Sequence, residues 1–92
     1  MSRLLDTSQP RLAAGCRWAD AEGDERMVLF PEGTIRLQGT GREILERCDG
    51  ERSLQQIVAD LQARYSASDA AQIREEVVNF LDKLRQKRIV DF

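Results

Sequence analysis

From Met27 to Gly50 the chain reads MVLFPEGTIRLQGTGREILERCDG, and within it the apolar period lengthens from two residues to three or four. Few folds accommodate that change over so short a stretch. Val28 and Phe30, then Ile35 and Leu37, stand two apart, which predicts two strands with one apolar face. Pro31-Glu32-Gly33 supplies the turn: Pro31 presets φ at the first corner, and Gly33 can take the positive φ that lets a hairpin close. Thr40-Gly41-Arg42-Glu43 then reads as a capping box, Thr40 accepting from a free amide at the helix start while Glu43 reaches back to the backbone of Thr40. Ile44, Leu45 and Cys48 share the next helical face, and Gly50 stands where a left-handed residue would end the helix. A hairpin joined so closely to a helix has to pack against it.

On either side the pattern is less compressed. Met1 to Gln9 is polar and without period, a loose arm ahead of a single domain over residues 10–92. Leu12, Ala14, Cys16 and Trp18 alternate, predicting a first strand over Arg11 to Trp18. Ala19 to Glu25 is the loop into Arg26 to Phe30, and Thr34 to Gln38 is the last strand of the meander. So small a sheet needs one face covered. Ser53-Leu54-Gln55-Gln56 is a second capping box, followed by the stripe Leu54, Ile57, Val58, Leu61 and Tyr65. Asp49 to Arg52 joins these two helices as a helix-turn-helix-like pair. Ser68 or Asp69 opens the longest helix, which runs to about Lys87 with Ala70, Ile73, Val77, Phe80, Leu81 and Leu84 as its core stripe. Lys83, Arg85, Lys87 and Arg88 crowd its end, where cations suit the helix dipole or form a docking patch. Ile89, Val90 and Phe92 can close the domain or join a second copy. The expected fold is α+β and winged-helix-like, a three-stranded antiparallel meander followed by three helices.

The chemistry these residues can perform is narrow. Ninety-two residues carry no histidine, which removes the commonest general base and neutral metal ligand. Cys16 and Cys48 lack the paired spacing of a zinc or redox motif, and Cys48 falls on an apolar face, where a thiol packs as a hydrophobe. Ser53 and Ser68 read as helix caps. Glu75 and Glu76 diverge by about 100° on a helix and cannot converge on one atom. Gly39-x-Gly41 lacks the rest of a phosphate loop. The composition therefore describes neither an enzyme nor a cofactor or metal binder. A formal charge of −2 gives no overall field for nucleic acid or an anionic membrane. No apolar run reaches signal-peptide or membrane-span length, so the expected location is the cytoplasm.

Binding remains, by one of two modes. A winged helix can lay its second helix in a DNA groove, but here that helix offers Arg64 as its exposed cation and also carries Asp60. Alternatively, an extended peptide can pair with Thr34 to Gln38 at the open edge of the meander. The last helix can supply a groove beside it: Val78 lies off the core stripe, flanked by Arg74, Leu81 and Arg85, and faces outward if the helix packs through Val77, Phe80 and Leu84. Otherwise Val78 simply widens the core face.

The block PEGTIRLQGTGREILERCDG resembles the centre of the PqqD family, small proteins that assist in making pyrroloquinoline quinone from a ribosomal peptide. A Pro10-Arg11-Leu12 start, a Ser53-headed helix after Asp49-Gly50 and a last helix ending near Ile89-Val90 extend the resemblance over roughly Pro10 to Val90. Where the family usually has Leu-Asn before the helix, Leu37-Gln38-Gly39-Thr40-Gly41 makes a more flexible joint. The resemblance implies a non-catalytic peptide chaperone that binds the precursor peptide PqqA and presents it to PqqE, a radical S-adenosylmethionine enzyme joining a glutamate and a tyrosine. Related recognition domains hold leader peptides along the third strand and last helix. Carried onto this chain, that implies Thr34, Ile35, Arg36, Leu37 and Gln38 on the strand, and Arg74, Val78, Leu81 and Arg85 on the helix. Ile35 and Leu37 would contribute backbone, with Arg36 facing outward. Leader recognition in another peptide-modifying pathway is the alternative, ahead of a winged-helix DNA-binding protein. The free edge and the Ile89 to Phe92 tail are each able to mediate a homodimer.

Overall fold

Alternation and turn chemistry produce the hairpin where they predict it. In the computed structural model, which describes residues 4–20 and 25–92, β3 (Arg26–Phe30) and β4 (Gly33–Leu37) pair antiparallel around Pro31-Glu32. Val28 lies opposite Ile35, and Val28 is fully buried, so Ile35 and Leu37 share its inner face while Thr34 and Arg36 point to the other. β2 (Arg17–Asp20) pairs with the far side of β3, giving the order β2-β3-β4. Both outer strands are edges of this sheet.

The predicted first strand is corrected. Arg11 to Trp18 is not continuous: β1 (Arg11–Leu12) pairs with β5 (Val90–Asp91) in a separate two-stranded sheet, and only from Arg17 does the chain join the meander. Gly15 breaks the run at φ +86°, a conformation closed to the alternating strand that Leu12, Ala14, Cys16 and Trp18 suggest. The loop expected over Ala19 to Glu25 starts later, since Ala19 and Asp20 still belong to β2; residues 21–24 lie outside the described residues.

Three helices cover the inner face: α1 (Gly39–Glu46), α2 (Leu54–Arg64) and α3 (Ala70–Gln86). The Ser53 capping box forms, with Ser53 Oγ accepting from Gln56 N–H and Gln56 Oε1 from Ser53 N–H. Asp69, rather than Ser68, caps α3 by accepting from Ala71 N–H. The capping box expected at Thr40 does not form. α1 already starts at Gly39 with Gln38 as its N-cap and no side-chain cap, and Glu43 turns instead to Tyr65 and Arg64. Gly50 is left-handed at φ +79° but does not stop α1, which ends at Glu46; its N–H donates to Pro10 O at 3.0 Å, tying the helix junction to β1. Ala70, expected in the core, is exposed, and Tyr65 lies past the end of α2.

Ile44, Leu45, Ile57, Leu61, Val77, Leu81 and Leu84 form the middle of the core, and Ile89 and Val90 close its end. α3 stops in a Schellman turn, in which Arg88 N–H donates to Arg85 O and Ile89 N–H to Leu84 O, both at 2.9 Å. Part of the expected N-terminal arm makes specific contacts. Ser8 O accepts from Leu54 N–H, Asp6 O from Gln55 N–H, and the Asp6 carboxylate pairs with Arg74. Residues 1–3 lie outside the described residues.

Candidate functional site

A two-residue hairpin loop makes Phe30 and Gly33 a hydrogen-bonded closing pair, and hydrogen-bonded and open pairs then alternate along the ladder. Ile35 and Leu37 accordingly turn their N–H and C=O groups to β3. Thr34 and Arg36 turn theirs to the open edge. Two pairs of backbone groups, spaced as a further strand requires, thus lie along β4. The side chains beside them divide by face: Ile35 is half-buried and Leu37 buried on the inner side, while Thr34, Arg36 and Gln38 are exposed. Arg36 is loosely balanced by Glu25 at 3.9 Å.

α3 reaches the C-terminal end of this strand at the joint into α1, and its contacts decide which flank it presents there. The Phe80 ring packs on Gly41 next to Leu37. A Cβ added at Gly41 would lie 3.2 Å from the ring and 3.9 Å from Leu37, so the absence of a side chain there lets helix and joint approach. At about 100° per residue, Glu76, Phe80, Lys83 and Lys87 share that side of the helix. Arg74, Val78 and Arg85 lie beyond the opposite border of the buried stripe. Arg74 pairs with Asp6, the Arg85 guanidinium sits 5.7 Å over the Phe92 ring, and Val78 is half-buried against the core.

The residues implied for the helix are therefore not gathered around β4. Leu81 is fully buried and has no surface to offer, because it faces the same core as Val77 and Leu84. Arg74, Val78 and Arg85 face the two chain termini rather than the strand. Phe80, assigned to the core by its spacing, is instead half-buried at the border of the β4 side. Only its contact with Gly41, in the remote joint before α1, reveals which border faces the strand end. Lys83 and Lys87 follow it on the same side of the helix and make no side-chain hydrogen bond or ion pair among the described residues.

Elsewhere the polar groups serve the fold. Glu43 accepts from Tyr65 Oη and pairs with Arg64 at 2.5 Å, which takes up the cation the DNA-binding alternative required. Asp60 lies 3.8 Å from Arg47 and 3.9 Å from Arg52, so the exposed side of α2 carries balanced charge. Burial, and then the Asp49 carboxylate, push the Cys48 thiol up to about 12, and its Sγ donates to Ile44 O at 3.3 Å. It is a neutral core group at physiological pH. Among the described residues no helix is long and apolar enough to cross a membrane.

A small winged-helix-like α+β domain whose meander leaves an edge strand open beside a helix has the architecture of a peptide-recognition domain. The chain belongs to the PqqD family: the family described as Coenzyme PQQ synthesis protein D (PqqD) matches residues 25–90. Among its relatives, the PqqA binding protein of Xanthomonas euvesicatoria pv. vesicatoria is 41% identical over 91 residues, 98% of each chain. The solution structure of the PqqD truncation of Methylobacterium extorquens PqqCD, described as a functional and stand-alone recognition element for ribosomally synthesized and modified peptides, is similar with TM-score 0.73 at 31% identity. The similarity covers 90% of this chain and 88% of that one. TbiB1 in complex with the TbiA(beta) leader peptide has the same fold, TM-score 0.77 at 22% identity, over 88% and 94% of the two chains.

Proposed function

We propose that this chain is a non-catalytic peptide chaperone of pyrroloquinoline quinone biosynthesis, which binds the precursor peptide PqqA as an added strand on β4 and presents it to the radical enzyme PqqE. The observation that carries this reading is the open β4 edge with the half-buried Phe80 flank of α3 beside it. Backbone pairing alone contributes only about 0.5–1.5 kcal/mol per hydrogen bond net. Useful affinity requires apolar burial as well, and Ile35 and Phe80 offer it on the side of the sheet that α3 covers. Of the residues implied by the resemblance, Thr34 and Arg36 pair through their backbones, Ile35 and Leu37 hold the strand to the core, and Gln38 marks its end. The helix contribution moves from Arg74, Val78, Leu81 and Arg85 to Phe80, Lys83 and Lys87. Identity to proteins named for PqqA binding supports PqqA as the peptide, and a sequence without histidine suits a carrier rather than a catalyst.

Amide hydrogen exchange tests this directly. Free, the Thr34 and Arg36 amides exchange fast while those of Ile35 and Leu37, bonded to β3, exchange slowly. Saturation with PqqA should protect Thr34 and Arg36, and protection confined to α2 would count against strand addition. Titration with an unrelated leader peptide separates this pathway from other peptide-modifying systems: equal affinity for both favours the broader role.

A further inference from the structure

Past the first residue of β4, at the hairpin end of the domain, lies a groove of about 640 Å³. Phe30 and Pro31 give it apolar walls, and Lys87, Arg88 and Arg85, the last stacked over Phe92, bring three cations to it from the end of α3. Two acids, Glu32 and Asp91, also line it, but Asp91 has Arg11 within 4.0 Å. The helix carbonyls that would repel an anion are occupied, since those of Lys83, Leu84 and Arg85 accept from Lys87, Ile89 and Arg88. Cationic charge is thus in excess around an apolar floor.

Arg88 adds an independent sign that this charge has a use. It occupies the left-handed position of the Schellman turn at φ +62°, where glycine would make the same backbone bonds without strain. Its guanidinium makes no hydrogen bond or ion pair among the described residues. The further hydrogen bond of Arg88 among the described residues, its carbonyl accepting from Cys16 Sγ at 3.5 Å, needs no side chain. A strained backbone retained without a structural partner points to function.

We propose that the groove binds an acidic segment of the precursor peptide, the stretch that runs off the β4 edge past Gly33. One apolar side chain of that segment rests on Phe30 and Pro31, and its carboxylate or carboxylates meet Arg88 and Lys87. Continuity supports this occupant: Pro31 and Glu32 line the groove and lead straight into β4, and a strand leaving Gly33 advances about 3.3 Å per residue. The inference rests on the strand-addition reading and adds to it a charge requirement on the guest.

The test compares PqqA binding by the full chain and by Arg88→Gly at low and high salt. Relief of the strained turn should leave the melting temperature equal or higher. Affinity should nevertheless fall about five- to tenfold near 50 mM salt, with the gap closing near 500 mM as the charges are screened. Arg88→Gln should lose the same factor with the turn strain kept, and Arg88→Lys should restore most of it. Replacing the acids of that PqqA segment by amides should weaken the wild-type chain and leave Arg88→Gly unaffected. Unchanged affinity for Arg88→Gly and Arg88→Gln at low salt overturns the groove alone, provided Thr34 and Arg36 are still protected. Absent protection at Thr34 and Arg36 in the wild-type complex overturns the strand reading, and the groove proposal with it.

Discussion

The two flanks of α3 are built from similar residues and have different fates. On one, Arg74, Val78 and Arg85 are engaged by Asp6, the core and Phe92, so the chain's own ends lie along that side. On the other, Phe80 borders the open strand with Lys83 and Lys87 beyond it. Each carries one half-buried apolar residue with cations on the turns after it, Val78 before Arg85 and Phe80 before Lys83 and Lys87. What distinguishes them is which remote segment comes to cover each, and the flank left uncovered toward the end of β4 is the one that can border an added strand.

Changes along α3 should therefore separate by flank. The largest effect is expected at the shared centre: Leu81→Ala removes a fully buried side chain and should cost about 2–5 kcal/mol in urea unfolding, with the surviving folded fraction binding PqqA normally. Val78→Asp, on the covered flank, should also read out as lost stability, because it brings a carboxylate against the core. Next comes the uncovered flank. Phe80→Ala should weaken PqqA binding tenfold or more, equivalent to about 1.4 kcal/mol, measured by calorimetry at a temperature where the variant is fully folded. If Val78→Asp instead lowers affinity while leaving the melting temperature alone, the assignment of the flanks is reversed.

Much of this arrangement was legible in the residues. The hairpin, the Ser53 cap, the core stripe through Ile73, Val77 and Leu84, and the last strand, expected over Thr34 to Gln38 and found over Gly33–Leu37 with Gln38 as the N-cap of α1, follow from periodicity and turn chemistry acting over a few residues. The readings that failed depended on distant contacts. Leu12 to Trp18 alternates as a strand does, yet Leu12 answers to Val90 and Trp18 to Val28, and Gly15 makes the switch between sheets. Thr40 and Glu43 have capping-box spacing, but Tyr65 and Arg64 draw Glu43 away. Val78 and Phe80 lie on opposite borders of one stripe, and nothing in α3 itself says which border β4 will lie beside. The one signal was Gly41, whose missing side chain marks a close approach without naming what approaches.

Smaller effects test the covered flank further. Arg74→Ala breaks an exposed pair with Asp6 and should cost no more than about 0.2–1 kcal/mol, with PqqA affinity unchanged. An affinity loss comparable to that of Phe80→Ala would mean that the N-terminal segment gives way to the guest.

The smallest effect is expected at Asp49, remote from both flanks, and it supplies the control. Its Oδ1 accepts from the backbone N–H groups of Glu51 and Arg52 at 2.9 Å, and those bonds hold its carboxyl below the usual carboxylate range. A folded-state value lower than the unfolded one, about 3.9, contributes stability that is present above that pH and lost as pH falls through the folded value. Asn at this position keeps an acceptor for the two amides and loses the charge. Asp49→Asn should therefore unfold with a flatter dependence on pH below about 4, and match the wild type in PqqA affinity and in protection of Thr34 and Arg36 at neutral pH. Altered protection there would show that the helix junction and the β4 edge are coupled, and the guest would then be reading more of the domain than one strand and one side of one helix.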